Sequence, residues 1–360
     1  MPNMNRKALI AMSGGVDSSV AAFLMKEKGY ECIGATMKLF YNEEVGVSKD
    51  HSCCSLDDVE DARSVAQALD MPYYVLNFSE RFKEDVIDHF VSAYENGMTP
   101  NPCIDCNRYL KFEKLFSRAK ELGYDYVVTG HYAQIEYDKE KDRYLLKKAV
   151  DPTKDQSYVL YSMTQEQLAH TMFPLGGMKK TEAREIAEAH GFINAKKHDS
   201  QDICFVQNGK YADFIEQYTG KTYPEGCFVD REGKVLGKHK GIIRYTVGQR
   251  KGLGISFAQP MYVTKVNPAD NTVVLGPHED LFTTSFLAKD INLIAVEKID
   301  APMRLKAKVR YRQQEQWAVV TQIDEDTLRV EFEEPQRAIT KGQAVVLYDG
   351  DVVVGGGTIQ

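Results

Sequence analysis

Residues 7–19 read Lys-Ala-Leu-Ile-Ala-Met-Ser-Gly-Gly-Val-Asp-Ser-Ser. Lys7 to Met12 is apolar enough to be a buried strand, and Ser18 starts a stretch with helical spacing. Between them Gly14 and Gly15 let the backbone turn tightly and come close to a ligand. The N–H groups at the start of the following helix make a ready anion site. Asp17 repels a bare phosphate, so the role expected of it is to hold a Mg²⁺ that bridges phosphate oxygens. There is no Gly-Lys-Ser/Thr, so this is not the common P-loop. A plain glycine turn capped by Ser and Asp is the bland alternative, and the position directly after the first strand argues against it.

Working outward, strands and helices alternate. Ser18–Lys28 places Val20, Phe23 and Leu24 on one helical face, and Cys32–Met37 reads as a strand. Asp57–Leu69 is an expected helix and Tyr73–Leu76 an expected strand. Helices are expected at Phe82–Tyr94 and Tyr109–Leu122, and a strand at Tyr126–Thr129. This order predicts an α/β fold with a parallel, doubly wound sheet, which binds ligands beyond the carboxyl ends of its strands. After Gly209 helical periodicity fades and glycines become dense. Val263–Val266 and Thr272–Leu275 read as a hairpin, and the strand-like runs of residues 281–360 predict a small C-terminal β-barrel. The expected division is 1–210, 211–280 and 281–360.

Composition sets the frame for function. The chain has 360 residues, 27% charged and 43% hydrophobic, which suits two or three water-soluble domains. No apolar run approaches the roughly 20 residues of a membrane helix, and Ala8–Met12 is too short for a signal-peptide core. A cytoplasmic protein is therefore expected. The net charge of −7 argues weakly against a nucleic-acid partner, although a local basic patch suffices to bind phosphates. The seven cysteines, Cys32, Cys53, Cys54, Cys103, Cys106, Cys204 and Cys227, are odd in number and scattered, unlike a secreted disulfide framework.

Two of them lie in Thr99-Pro-Asn-Pro-Cys-Ile-Asp-Cys-Asn-Arg-Tyr-Leu-Lys-Phe112. Cys103-x-x-Cys106 fits a metal hook, a redox pair, a pair of nucleophiles or none of these. Four further stretches narrow the choice: Thr129-Gly-His-Tyr-Ala133, Lys154-Asp-Gln-Ser-Tyr-Val-Leu160, Ser200-Gln-Asp-Ile-Cys-Phe-Val206 and Tyr245-Thr-Val-Gly-Gln-Arg-Lys-Gly-Leu-Gly-Ile255. The glycine loop alone resembles the PP-loop of ATP pyrophosphatases, which split ATP into AMP and pyrophosphate. The six motifs together, in order from Met12 to about Arg312, resemble the bacterial tRNA-specific 2-thiouridylases.

That resemblance implies a tRNA 2-sulfurtransferase. ATP with Mg²⁺ adenylates the 2-oxygen of the wobble uridine, and a cysteine persulfide delivers sulfur to C2. AMP leaves, and two cysteines end as a disulfide. The implied nucleophile is Cys106 and the implied persulfide carrier Cys204. ATP is expected at Ala11, Met12, Ser13, Gly14, Gly15, Val16, Asp17, Ser18, Met37 and Gly130. The target base is expected at Asn101, Pro102 and Cys103, where many relatives carry an aspartate in place of Cys103. tRNA is expected at Lys154, Asp155, Gln156, Arg310 and Tyr311. The implied partners are tRNA and a persulfide-donating relay protein or cysteine desulfurase, with the free enzyme a monomer and no membrane involved.

The residues also support a second reading of the cysteines. Cys103, Cys106 and Cys204 make a two-plus-one set suited to a [4Fe–4S] cluster with one open iron, as in related tRNA thiolases. Zinc would want a fourth ligand, for which His131 or Cys53–Cys54 lack a clear spacing. His51–Ser55 reads as a loop whose Ser55 caps a helix with Asp58 three residues on. His131 reads first as a satisfied structural histidine. Lys147, Lys148, Lys179, Lys180, Lys196 and Lys197 each read as solvated surface lysines before phosphate contacts.

Leu305-Lys-Ala-Lys-Val-Arg-Tyr-Arg312 alternates, so Lys306, Lys308, Arg310 and Arg312 are expected on one strand face. An RNA backbone would balance that row, as would acidic neighbours such as Glu333. Two rivals from other classes remain. A small-molecule PP-loop ligase needs neither the cysteines nor the cationic strand. A metal-binding or redox module needs no ATP.

Overall fold

The computed structural model describes residues 6–41, 56–197, 199, 203–206 and 209–360. The expectations for His51–Ser55 and for Ser200, Gln201 and Asp202 lie outside these. The chain forms two compact units. The first is Met1–Val86 with Cys103–Gly209 and Asp351–Val353; the second is Ile87–Pro102 with Lys210–Gly350 and Val354–Gln360.

The first unit is built on a parallel sheet. Its strands are β1 (Lys7–Ala11), β2 (Glu31–Lys38), β3 (Tyr73–Asn77), β4 (Tyr126–Val128) and β7 (Thr171–Met172), in the order β3-β2-β1-β4-β7. Ala8, Leu9 and Ile10 of β1 are fully buried because helices cover both faces. Ala8 and Ile10 face a layer with α1 (Val16–Glu27) and α2 (Leu56–Ala68), through Val20, Ala21, Ala62 and Ala66. Leu9 faces the opposite layer, against Leu115, Phe116 and Ala119. The expected doubly wound architecture is what forms.

The helical run 79–95 comprises α3 (Ser79–Phe82), a wide π-helical segment Lys83–Asp88 and α4 (His89–Glu95). The next begins earlier than its apolar spacing suggested. It starts as α5 (Pro102–Asp105), widens into a π-helix at Cys106–Lys114 and ends as α6 (Leu115–Glu121). Pro102 is the reason, since its fixed φ suits a first helical position and its missing N–H costs nothing there. Cys103 and Cys106 therefore lie on the opening turns of a helix and not in a loop. A hairpin forms as β5 (Gln134–Asp138) and β6 (Arg143–Lys147), with Val352 and Val353 paired to the outer edge of β6. The unit is completed by α7 (Gln165–Ala169), opened by a Thr164–Gln167 capping box, and α8 (Lys180–Ala189), which packs on α1.

The second unit holds α4 and α9 (Tyr211–Thr219), stacked through Tyr94 and Tyr211 at 4.6 Å. A four-stranded sheet has the order β10-β11-β8-β9, with β8 (Gly226–Val229), β9 (Val235–His239), β10 (Tyr262–Asn267) and β11 (Thr272–Gly276). The last two are the expected hairpin. The C-terminal strands are β12 (Phe282–Leu293), β13 (Met303–Lys308), β14 (Gln316–Asp324), β15 (Thr327–Arg337), β16 (Ala344–Asp349) and β17 (Val352–Ile359). Pairing of β12 with β17 closes them into a barrel. Its core alternates as predicted, with Leu305, Ala307, Val320, Leu328 and Val330 inside. The expected strand 305–312 ends at Lys308, however, and residues 309–312 turn away.

Candidate active site

Because the strands are parallel, β1, β2 and β4 deliver Met12–Gly15, Met37 and Thr129–His131 to one edge of the sheet. Gly15 caps α1 with no side chain of its own. Ser18 and Ser19 Oγ both donate to its carbonyl, at 3.0 and 3.1 Å. The Ser13 N–H donates to Ser18 Oγ at 3.2 Å, which fixes the loop. Gly14 has φ +73°, and a Cβ there would fall 2.3 Å from the Asp58 carbonyl oxygen. At Gly130 a Cβ would meet the carbonyl carbon of Asp17 at 2.7 Å and the Ser18 nitrogen at 2.8 Å. Only glycine lets β4 and α2 close on the loop this tightly. Ala11 and Val16 bracket the loop, and Met12 is buried beneath it.

A network that sequence reasoning missed surrounds this loop. Lys180 is buried, and its Nζ lies 2.8 and 2.7 Å from the two Asp17 carboxylate oxygens. The same Nζ is 2.7 Å from Asp199, and the Lys180 backbone N–H donates to Asp151 at 3.0 Å. Tyr132 donates its hydroxyl to Asp17 at 2.8 Å. Burial and the Asp17 charge both push the Tyr132 phenol well up, so it stays a donor. Lys197 binds Asp58 at 2.6 Å and Asp61 at 2.7 Å, and Asn194 donates to the Gly14 carbonyl at 2.9 Å. Burial works against the Lys197 ammonium, but these carboxylates outweigh it and raise its pKa. Lys180 was read as a solvated lysine because its spacing gives no sign of a partner 163 positions away.

Both Asp17 oxygens take Lys180, and Oδ1 takes Tyr132 as well, so of the roughly four lone-pair positions of the carboxylate one, on Oδ2, is left for the cation expected there.

Cys106 is half-buried at the start of the π-helix, a widened turn of the kind frequent at functional sites. The next residue, Asn107, is buried and donates to the Val159 carbonyl at 2.9 Å, anchoring that turn. Cys204 is also half-buried. Its neighbour Phe205 packs edge-on against Phe82 of α3 at 5.7 Å, and α3 packs against the π-helix headed by Cys106. The two cysteine segments thus share one neighbourhood of the first unit. Cys103 is exposed yet ringed by protein atoms; that desolvation raises its pKa, and Lys111 opposes it. Among the described residues no three His, Cys, Asp or Glu side chains are placed to hold a metal. The cluster set Cys103, Cys106 and Cys204 is therefore not supported.

His131 is buried and satisfied by side chains. Thr129 Oγ1 lies 2.7 Å from Nδ1 and Lys111 Nζ 3.4 Å from Nε2. An ammonium only donates, so Nε2 is the bare nitrogen. Burial first and the Lys111 charge second hold the imidazole neutral.

The remaining expected residues separate. Asn101 and Pro102 belong to the second unit and Cys103 to the first. Lys154 Nζ bonds Asp199 at 2.7 Å. Asp155 accepts from the Ala149 N–H, and Gln156 Oε1 from the Tyr132 N–H at 2.9 Å. Both therefore also shape the turn. Arg310 donates to the carbonyls of Val247 and Ala338 and to Thr340 Oγ1, at 3.3, 3.0 and 2.7 Å. Tyr311 is exposed beside Lys308. Lys306 pairs with Glu315 and Arg304 with Glu333; Glu333 is among the acidic neighbours foreseen, whereas Glu315 is not.

Three family models match in order: a tRNA methyl transferase HUP domain over residues 6–208, a tRNA methyl transferase PRC-barrel domain over 212–277 and an aminomethyltransferase β-barrel domain over 283–359. The tRNA-specific 2-thiouridylase of Clostridioides difficile is 54% identical over 357 residues, 99% of each chain. The chain belongs to the tRNA-specific 2-thiouridylase family. The thiouridylase of Acetivibrio thermocellus is 52% identical over 99% of each chain. Among solved structures, a 4-thiouridine synthetase–RNA complex with bound ATP is 20% identical over 61% of this chain and 51% of that one, with a TM-score of 0.40. Among the described residues no helix is long and apolar enough to cross a membrane.

Proposed function

We propose that this thiouridylase adenylates the 2-oxygen of the wobble uridine in tRNA and replaces it with sulfur from a cysteine persulfide. The products are 2-thiouridine, AMP and pyrophosphate. The observation that carries this reading is the placement, in one unit, of the glycine loop at the carboxyl edge of the parallel sheet and of α3 between the Cys204 segment, through Phe205, and the π-helix that Cys106 opens. ATP lies along residues 11–18 with its adenine toward Met37 and Gly130, and Mg²⁺ accompanies the nucleotide phosphates. Cys204 carries the persulfide, and its thiolate is the form that accepts and passes sulfur. Cys106 attacks the inner sulfur, the Cys204 Sγ, and the Sγ–S bond breaks, so that the outer sulfur ends on C2 as AMP leaves and the two cysteines end as a disulfide. A sulfur-relay protein or desulfurase supplies the persulfide. Residues 1–210 carry catalysis, and residues 211–280 and 281–360 help hold the tRNA. Asn101, Pro102 and Cys103 face the target base, which is flipped from its stack to reach the cysteines. Lys154, Asp155, Gln156, Arg310 and Tyr311 meet the RNA.

The test is pyrophosphate and AMP release from ATP with no RNA, with a tRNA bearing wobble uridine, and with the same tRNA bearing cytidine there. Turnover only with the uridine tRNA is expected. Turnover without RNA would favour a small-molecule ligase.

A further inference from the structure

Asp199 belongs to none of the expected contacts, yet three cations converge on it. Lys154 Nζ and Lys180 Nζ each lie 2.7 Å from it and Arg184 Nη2 2.9 Å. Burial alone would raise its pKa; hydrogen bonds from Lys154 and Lys180, with their charges, hold it near 2 instead. Arg184 also donates to the carbonyls of Ala195 and Lys197, which keeps its guanidinium on the strand of chain that leads to Asp199. Lys180 is the cation of the phosphate loop, through Asp17. Lys154 opens the segment expected at tRNA. That segment is joined to the loop a second way, since the Gln156 side chain accepts from the Tyr132 N–H and the Tyr132 hydroxyl donates to Asp17.

We propose that Asp199 is a positioning residue that links nucleotide binding to RNA binding. A triphosphate at Lys180 and an RNA phosphate at Lys154 each compete with this one carboxylate. Whichever anion binds first must displace Asp199, and the second meets cations already released. The linkage is positive and equal in both directions, as thermodynamics requires. Its effect is that ATP binds weakly until the RNA is present. The inference rests on the reading of Lys154 as a tRNA contact.

The experiment uses the full chain, a non-hydrolysable ATP analogue and a tRNA with cytidine at the wobble position, so that nothing turns over. In the unaltered chain the tRNA should tighten the analogue about five- to fifty-fold. Asp199→Asn should bind the analogue without RNA as tightly as the unaltered chain does with it, and RNA should then add little. Asp199→Glu should restore the linkage. Lys154→Ala should bind tRNA more weakly and lose the linkage, which tests the proposal even if the Asp199 variants fold poorly. No linkage in the unaltered chain, linkage retained in Asp199→Asn, or weaker analogue binding by that variant would overturn the proposal. If Lys154→Ala binds tRNA undiminished, the reading of Lys154 falls and takes the proposal with it. If Lys154→Ala weakens tRNA but Asp199→Asn keeps the linkage, only the proposal falls.

Discussion

Gly130 shows how much one hydrogen atom can decide. A Cβ there would meet the backbone of Asp17 and Ser18 at 2.7 and 2.8 Å, too close for both sides to keep their places. Gly130→Ala should therefore shift the phosphate loop. A displacement near 1 Å at a reacting group costs on the order of 100-fold in rate. The expected result is that loss in pyrophosphate release, with a raised KM for ATP and little change in unfolding temperature. An alanine variant with unaltered ATP kinetics would show that β4 moves instead. Cys204 is the opposite case, a side chain whose loss should leave the first half-reaction intact. Cys204→Ser should release pyrophosphate in a first turnover with wobble-uridine tRNA at about the usual rate and leave AMP bound to the base. It should form no 2-thiouridine, and a serine variant that still forms it would remove Cys204 from the sulfur path. Gly130 and Cys204 could be singled out from sequence because each sits in a short motif that carries the family resemblance. Lys180 could not, since what makes it a buried cation is Asp17 and Asp199, remote in sequence and brought near by α8 packing on α1.

At the scale of elements, the segment ending in Asp199 should be held by charge. Its carboxyl pKa near 2 lies below the ordinary aspartate value of about 3.9, so its stabilisation is fully present above about pH 4. That stabilisation is lost as pH falls toward 2, and the shift corresponds to at most about 2 kcal/mol. Urea unfolding of the unaltered chain and of Asp199→Asn, compared from about pH 6 down to about pH 2, should show a constant gap that closes below about pH 4. A gap independent of pH would mean the carboxylate charge does not hold the segment. The tail of β13 makes a second case. Its alternation was legible up to Lys308, since Leu305 and Ala307 are buried in the barrel. It misled beyond, because Arg310 turns back to bond Val247, Ala338 and Thr340, and no pattern in the sequence names those acceptors. Arg310→Ala should therefore destabilise the second unit by about 2–4 kcal/mol, as carbonyls lose charged donors. Thermal unfolding would register this without RNA, so a loss of tRNA affinity in this variant counts as contact only if Arg310→Lys, folded equally well, shares it.

For the molecule as a whole, composition along the chain and packing divide it differently. Glycine density and strand patterning place a boundary near residue 210, which makes residues 1–210 look like a self-sufficient catalytic half. Packing assigns Ile87–Pro102 to the other unit and returns Asp351–Val353 to the first. The helical spacing of Phe82–Tyr94 foretold α4 but not its partners. Phe90, Val91 and Tyr94 are buried, with Tyr94 stacked on Tyr211 and Phe90 edge-on to Phe214 at 6.3 Å. Thr99 donates its N–H to the Lys341 carbonyl at 2.8 Å, and Gln343 donates to the Thr99 carbonyl at 2.8 Å. A fragment ending at residue 210 keeps Phe90, Val91 and Tyr94 but loses what covers them, at about 1.5–3 kcal/mol for each large apolar side chain exposed. It also strips Val352 and Val353 from the outer edge of β6, leaving an unpaired strand that invites association. Since whole domains are stable by only about 5–15 kcal/mol, these losses consume a large share. The fragment 1–210 should be aggregation-prone, bind a hydrophobic dye and unfold well below the full chain without a sharp transition. Deleting residues 87–102 in favour of a short linker and supplying residues 351–353 as a C-terminal strand should recover solubility. A fragment 1–210 that is monomeric and unfolds cooperatively at the temperature of the full chain would show that α4 finds cover within the first unit, and that the boundary read from composition is the physical one.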